Sequence, residues 1–167
     1  KDQQKDVEDL RSLLWSSIDN ADSLDLDQLE YCQTGRNQDI RVKVAIADVD
    51  LFVPRASQID THAAINGTSV YTGIETFSLL PERLSTDLTS LLAAQERMAV
   101  IIEFVVLTDG QIIRENIYRA MVCNKAKLVY EEIGDWLEGK AAIPPAVREI
   151  PGLEAQLSLQ DEAAQRV

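Results

Sequence analysis

Ile18-Asp19-Asn20-Ala21-Asp22-Ser23-Leu24-Asp25-Leu26-Asp27-Gln28 is the stretch around which the chain is organised. It sets four carboxylates within nine residues, between an apolar segment and a strand-like run. Like charges at such close range repel and raise one another's pKa, so stability alone gives a fold no reason to crowd them. A divalent cation removes that objection, because hard ions such as Mg²⁺ take oxygen ligands, usually a few carboxylates completed by waters and substrate phosphates. If Asp25 to Asp27 is extended, its period of two puts both side chains on one face, and Asp19 can return across the turn to the same point. Polar acidic runs are also common as solvated loops, which is the plainer reading. A calcium loop is excluded. Counted from Asp19, Glu30 falls at the twelfth position, but the third, fifth and sixth are Ala21, Ser23 and Leu24, where that loop needs acids or amides and then glycine.

Outward from this stretch the elements follow from periodicity. Val7 to Trp15 has apolar residues at 7, 10, 13 and 14, which predicts a short amphipathic helix leading into the site. Leu26 to Gln33 and Ile40 to Val49 read as strands joined by the turn cluster Thr34-Gly35-Arg36-Asn37-Gln38-Asp39. Asp48, near the end of the second strand, is either a further carboxylate close to the metal or a strand-end acid. Ser57 to Asn66 predicts a helix capped by Ser57 and stopped by Gly67; it carries the lone histidine, His62, which has no partner and is left out of the chemistry. Arg97 to Thr108 and Gln111 to Val122 are apolar strands joined through Asp109-Gly110, a hairpin whose first strand is hydrophobic on both faces and so central in a sheet. Tyr130 to Leu137 is helical and closed by Gly139. After Pro144-Pro145 and Pro151-Gly152, a last helical pattern carries Leu153, Leu157 and Ala164.

Composition narrows the class. With 167 residues and 46% hydrophobic content the chain is one domain or part of one. No apolar run is long enough for a transmembrane helix, and Lys1 to Lys5 is too polar for a signal peptide, so a cytoplasmic location without membrane partners is expected. Cys32 and Cys123 sit in apolar strands without metal-ligand spacing and are expected to be buried free thiols. The net charge of −12 runs against nucleic-acid binding, which rests on Lys and Arg contacts to phosphate.

A resemblance adds to these readings. Ser17-Ile18-Asp19 followed by Asp25-Leu26-Asp27-Gln28 resembles the acidic signature of the ribonuclease II / ribonuclease R family: an Asp, five residues, an Asp, one residue, then two acids in a row. Val44-Ala45-Ile46-Ala47-Asp48-Val49, Gly67-Thr68-Ser69-Val70-Tyr71, Leu80-Pro81-Glu82-Arg83-Leu84-Ser85 and Lys125-Ala126-Lys127-Leu128-Val129-Tyr130 are similar to that family's catalytic (RNB) domain in the same order, from about Trp15 to Trp136. The resemblance implies an α+β fold: a mixed, largely antiparallel β-sheet with flanking helices, forming a partial RNB-type catalytic domain. Residues 1–14 would be a leader helix preceding the domain, and 15–167 its N-terminal portion.

The function so implied is metal-dependent 3′-to-5′ hydrolysis of single-stranded RNA to nucleoside 5′-monophosphates. Asp19, Asp25 and Asp27 are then the catalytic acids and, with Gln28, the ligands of Mg²⁺, with Mn²⁺ as a substitute. Tyr71 matches the family's aromatic at the nucleotide-holding end of the channel, and its alternative is a strand aromatic packed in the core. Lys125 and Lys127 are either solvated surface charges or contacts to phosphate, and are the candidate RNA-binding cations. Two departures matter. Gln28 stands where the fourth acid belongs, with Asp22 an additional acid able to compensate, and the second half of the catalytic domain and the flanking OB-fold RNA-binding domains are expected in a longer parent chain. The fragment alone would be inactive and hold RNA weakly. The competing function is a noncatalytic RNA- or protein-binding homologue with a decayed metal site.

Overall fold

The computed structural model describes residues 7–167, and the expected start of the leader at residues 1–6 lies outside them. The structure is a mixed sheet with helices along it, as expected. In chain order the strands are β1 (Glu8–Asp9), β2 (Ser16–Asp19), β3 (Gln28–Thr34), β4 (Ile40–Ala47), β5 (Val70–Tyr71), β6 (Thr76–Phe77), β7 (Glu96–Val106), β8 (Ile112–Cys123) and β9 (Ala126–Val129). The helices are α1 (Gln58–Asn66), α2 (Tyr130–Leu137), α3 (Pro145–Arg148) and α4 (Leu153–Arg166). Among the described residues the main sheet runs β1-β8-β7-β4-β3-β2-β9, and β5 and β6 form a separate two-stranded ribbon. The β1–β8 and β2–β9 pairs are parallel; the others are antiparallel.

Local chemistry explains most elements. Ser57 accepts a hydrogen bond from the Asp60 N–H at the start of α1, and Gly67, at φ +73°, ends it in a left-handed turn that costs glycine nothing. Gly110, at φ +84°, has no room for a side chain, since a Cβ there would lie 2.2 Å from the Arg166 carbonyl at the end of α4. The hairpin therefore packs directly on that helix.

The leader is a correction. Among the described residues, Glu8–Asp9 is a strand along Ala120 and Met121 of β8, and Leu10 continues it with its N–H on the Met121 carbonyl. The apolar spacing at Leu10 and Leu13 is used to pack both against the core around Trp15, whose indole N–H donates to the Leu10 carbonyl. The open backbone edge of β8 offers this segment long-range hydrogen bonds, which override its weak helical preference.

One sheet face buries Trp15, Leu26, Leu29, Ala45, Ala99, Ile101 and Ala120 together with Leu91. At the border of that core, Arg41, Lys43 and Tyr118 gather around Glu103. The opposite face is covered by α4, whose Ala163 and Leu159 meet Cys32, Ile40, Val42 and Val106. The buried residue near the end of α4 is thus Ala163, and the predicted Ala164 is exposed. On the same helix the Gln156 amide bonds both the N–H and the carbonyl of Cys32, covering an edge of β3 that β2 leaves free. Both cysteines are free; Cys32 is buried, and burial first, then Glu30, pushes its thiol up to about 12. Cys123 is only half-buried, against expectation.

Candidate active site

The acidic stretch leaves β2 at Asp19 and enters β3 at Gln28. Its centre is held from behind. Leu26 is fully buried, its N–H donates to the Ser90 hydroxyl at 3.0 Å, and that hydroxyl donates to the Leu24 carbonyl at 2.7 Å. The Leu91 N–H reaches the Leu26 carbonyl, and the Ala47 N–H the Asp27 carbonyl, both at 2.9 Å. Leu26 is thus anchored inward, while Asp25 beside it is half-buried and Asp27 exposed.

The acids feel one another. Burial, then Asp25, raises the Asp19 carboxyl, against a hydrogen bond from Ser23 and the charge of Lys127. Burial, then Asp25 and Asp19, raises Asp27. Glu30 is pushed up to about 7 by burial and then by the charge of Asp19. Gln28 is exposed at the first position of β3, opposite Ile46. Even so, no three His, Cys, Asp or Glu side chains converge into a ready-made metal cage among the described residues.

Tyr71 projects from the β5–β6 ribbon with 64% of its surface exposed, which excludes the packed-core alternative. Its hydroxyl donates to Asp25 across 46 residues of sequence. Both line an open cleft of about 900 Å³ together with Asp22, His62, Thr76 and Glu82. Asp19, Asp27 and Gln28 are not in its wall, nor are Lys125 and Lys127. Among the described residues no Lys or Arg lines the cleft, so a phosphate entering it meets only negative side-chain charge. His62 stands on the wall with its Nε2 2.9 Å from the Asn66 amide nitrogen.

The two lysines flank buried Ala126. Lys125 precedes β9, and its N–H is on the Trp15 carbonyl. Lys127 points its ammonium at the carbonyls of Ala21 and Ser23, inside the acidic stretch. Asp48 is buried, with an Oδ 2.7 Å from Arg119 Nε, and so is a paired strand-end acid. Sequence reasoning missed Ser90 and Asn124. The Asn124 amide bonds Ser17 and the Leu91 carbonyl and accepts from the Ala126 N–H, stitching β2 to β9. Neither residue stands in a pattern that marks it.

A family model described as "RNB domain" matches residues 7–167. Exoribonuclease 2 of Proteus mirabilis is 36% identical over 134 residues, which are 80% of this chain and 21% of that protein. Ribonuclease R of Escherichia coli is 32% identical over 159 residues, 93% of this chain and 20% of that protein. The chain therefore spans about a fifth of the length of these curated relatives. Among solved structures, RNase R of Mycoplasma genitalium in complex with ribose methylated single-stranded RNA superposes with a TM-score of 0.77 at 30% identity, over 96% of this chain and 25% of that one. Yeast Ssd1, a pseudonuclease, superposes with a TM-score of 0.73 over 96% of this chain and 19% of that one; at 14% identity it shares the fold.

Proposed function

The chain belongs to the RNB domain family, and from that premise we propose that residues 7–167 are the N-terminal portion of the catalytic domain of a metal-dependent exoribonuclease. In this reading the parent chain degrades single-stranded RNA from its 3′ end to nucleoside 5′-monophosphates in the cytoplasm. Glu8–Asp9 is already a strand of the domain's sheet, and flanking OB-fold domains and a second catalytic half complete the grip on RNA. Among the described residues no helix is long and apolar enough to cross a membrane. The observation that supports the reading best is the meeting of an exposed aromatic, Tyr71, with Asp25 in one acidic cleft.

The donor set fits a hard dication in its chemistry. Asp19, Asp25 and Asp27 offer carboxylate oxygens in mutual repulsion, and Gln28 adds a neutral amide oxygen. An incomplete protein cage suits Mg²⁺, which keeps waters and borrows phosphate oxygens. Bound there, the ion would polarise the scissile phosphate and lower the pKa of an attacking water. The chain's own residues supply the rest: Ser90 and Leu91 anchor the stretch that carries the acids, and Tyr71 presents a ring on which a terminal base stacks. Such stacking is worth about 1–3 kcal/mol per base.

Gln28 favours a second reading, a noncatalytic RNA- or protein-binding homologue. A digestion of single-stranded RNA by the full-length parent, with and without Mg²⁺ or Mn²⁺, separates the two; no metal-dependent release of mononucleotides would leave the second. The 167-residue chain itself is expected to release none and to bind RNA weakly at physiological salt, having few phosphate contacts to release counterions.

Tyr71→Ala in the parent is expected to change product length more than turnover. Losing the ring frees the last nucleotides sooner and leaves longer limit oligonucleotides. Gels showing the wild-type end product would remove Tyr71 from the nucleotide-holding role.

A further inference from the structure

Lys127 sits in β9, where Ser17 of β2 is its parallel partner, between the buried side chains of Ala126 and Leu128. Its ammonium donates to the Ala21 carbonyl at 2.8 Å and the Ser23 carbonyl at 2.6 Å. An ammonium has three N–H donors, and two are spent here on backbone oxygens. Such charge-assisted bonds order a side chain that would otherwise be among the most flexible on a surface. The turn's other ties are local, one of them the hydrogen bond from Ser23 to the Asp19 carboxyl. Its own backbone contributes a bond of 3.2 Å from the Ser23 N–H to the Asn20 carbonyl.

We propose that Lys127 is a positioning residue: it clamps the Asn20–Ser23 turn and so fixes the spacing of Asp19 and Asp25, and it does not serve as a contact to phosphate. The assignment of the ion-holding role to those acids rests on the function proposed above. The geometry of the clamp does not. Ser90 pins the far end of the same segment through Leu24 and Leu26, so the loop is held at two points, one behind and one beside the acids. Without the ammonium, Asp19 also loses a positive charge that offsets the repulsion from Asp25. The turn then has both the freedom and the repulsion needed to spread the carboxylates. Displacements of about 1 Å in such a constellation cost on the order of 100-fold in rate.

A clamp and a phosphate contact predict opposite kinetics. In the full-length parent, Lys127→Met keeps the apolar stem and removes the donors. A clamp lowers kcat by on the order of 100-fold and raises the Mn²⁺ concentration needed for half activity, with KM for RNA and its salt dependence unchanged. A phosphate contact leaves kcat alone, raises KM and lowers the salt slope by about one; that result would overturn the proposal. Lys127→Arg, which keeps charge and donors, should recover most of the kcat loss, and if the methionine variant does not fold, Lys127→Gln, which removes the charge, carries the test by the same split between kcat and KM.

The 167-residue chain gives an arm independent of catalysis. Amide hydrogen exchange at Ala21 to Ser23 should be about tenfold faster in Lys127→Met than in the original chain, with exchange in β7 unchanged. Calorimetry should show weaker Mn²⁺ binding. Unaltered exchange in the turn overturns the clamp whatever the enzyme does. A parent with no metal-dependent nuclease activity, yet with the faster exchange in the variant, leaves the clamp standing and rejects the function it was tied to.

Discussion

Asp27→Asn in the full-length parent is expected to reduce RNA cleavage by about 10³-fold or more while leaving RNA affinity within about twofold. The amide keeps the shape of the side chain and removes one ligand charge. Its backbone role survives, because the Asp27 carbonyl, which receives the Ala47 N–H, is untouched. Stability should not suffer either. Burial and the charges of Asp25 and Asp19 already push the Asp27 carboxyl towards its neutral form, so replacing it relieves repulsion in the metal-free protein. Lost activity with retained binding and an equal or higher melting temperature is therefore the signature to look for. Undiminished cleavage in this variant would remove Asp27 from the ion-holding set, and with it the reading of the whole acidic stretch.

The elements that were legible in the sequence are those specified by neighbours along the chain. The Thr34–Asp39 turn, the Asp109-Gly110 hairpin and the Ser57 and Gly67 caps each carry their own turn chemistry, and all appear where expected. The two-sided hydrophobicity of β7 correctly placed it inside the sheet, between β4 and β8. What escaped depends on distant partners. Glu8–Asp9 becomes a strand because β8 presents an open edge, and Ala126–Val129 becomes one because β2 lies parallel to it, more than a hundred residues earlier. Periodicity over a few residues contains neither fact.

The site divides in the same way. The acids are conspicuous because they recur within one short segment. The bond from Tyr71 to Asp25 is not, since it depends on how a ribbon far along the chain folds back over the loop. Lys127 shows a subtler limit. Its charge invites a phosphate reading, but what it meets are carbonyl oxygens of Ala21 and Ser23, and backbone atoms leave no mark in a sequence. Ser90 is invisible for the same reason, as both its partners belong to the backbone of Leu24 and Leu26.

The largest stability effect is expected at Glu103, whose replacement by alanine should destabilise the 167-residue chain by about 3 kcal/mol at pH 7. Glu103 is 8% exposed, directly across from Lys43 in the β4–β7 pairing. It accepts from the Lys43 ammonium, from Arg41 at 2.5 Å and from the Tyr118 hydroxyl at 2.8 Å. Burial acts to raise its carboxyl, but these three donors outweigh that and hold it at about 2. Alanine would leave the half-buried Lys43 without its carboxylate, which is the costly way to break such a pair. The pH dependence has a definite sign. A carboxyl lowered from 4.5 to about 2 contributes stability that is present above pH 4.5 and is lost as the pH falls towards 2. The gap between wild type and Glu103→Ala should therefore be full at pH 7, begin to close below pH 4.5 and be much reduced near pH 2. Urea unfolding of both proteins at several pH values measures it; a gap that does not change between pH 7 and pH 2.5 would show that packing, not charge, holds the position. The effect should also reach the acidic stretch. Lys43 and Ala47 lie on the same strand, and it is the Ala47 N–H that holds the Asp27 carbonyl, so a loosened β4–β7 pairing frees the strand against which the candidate ligands are set.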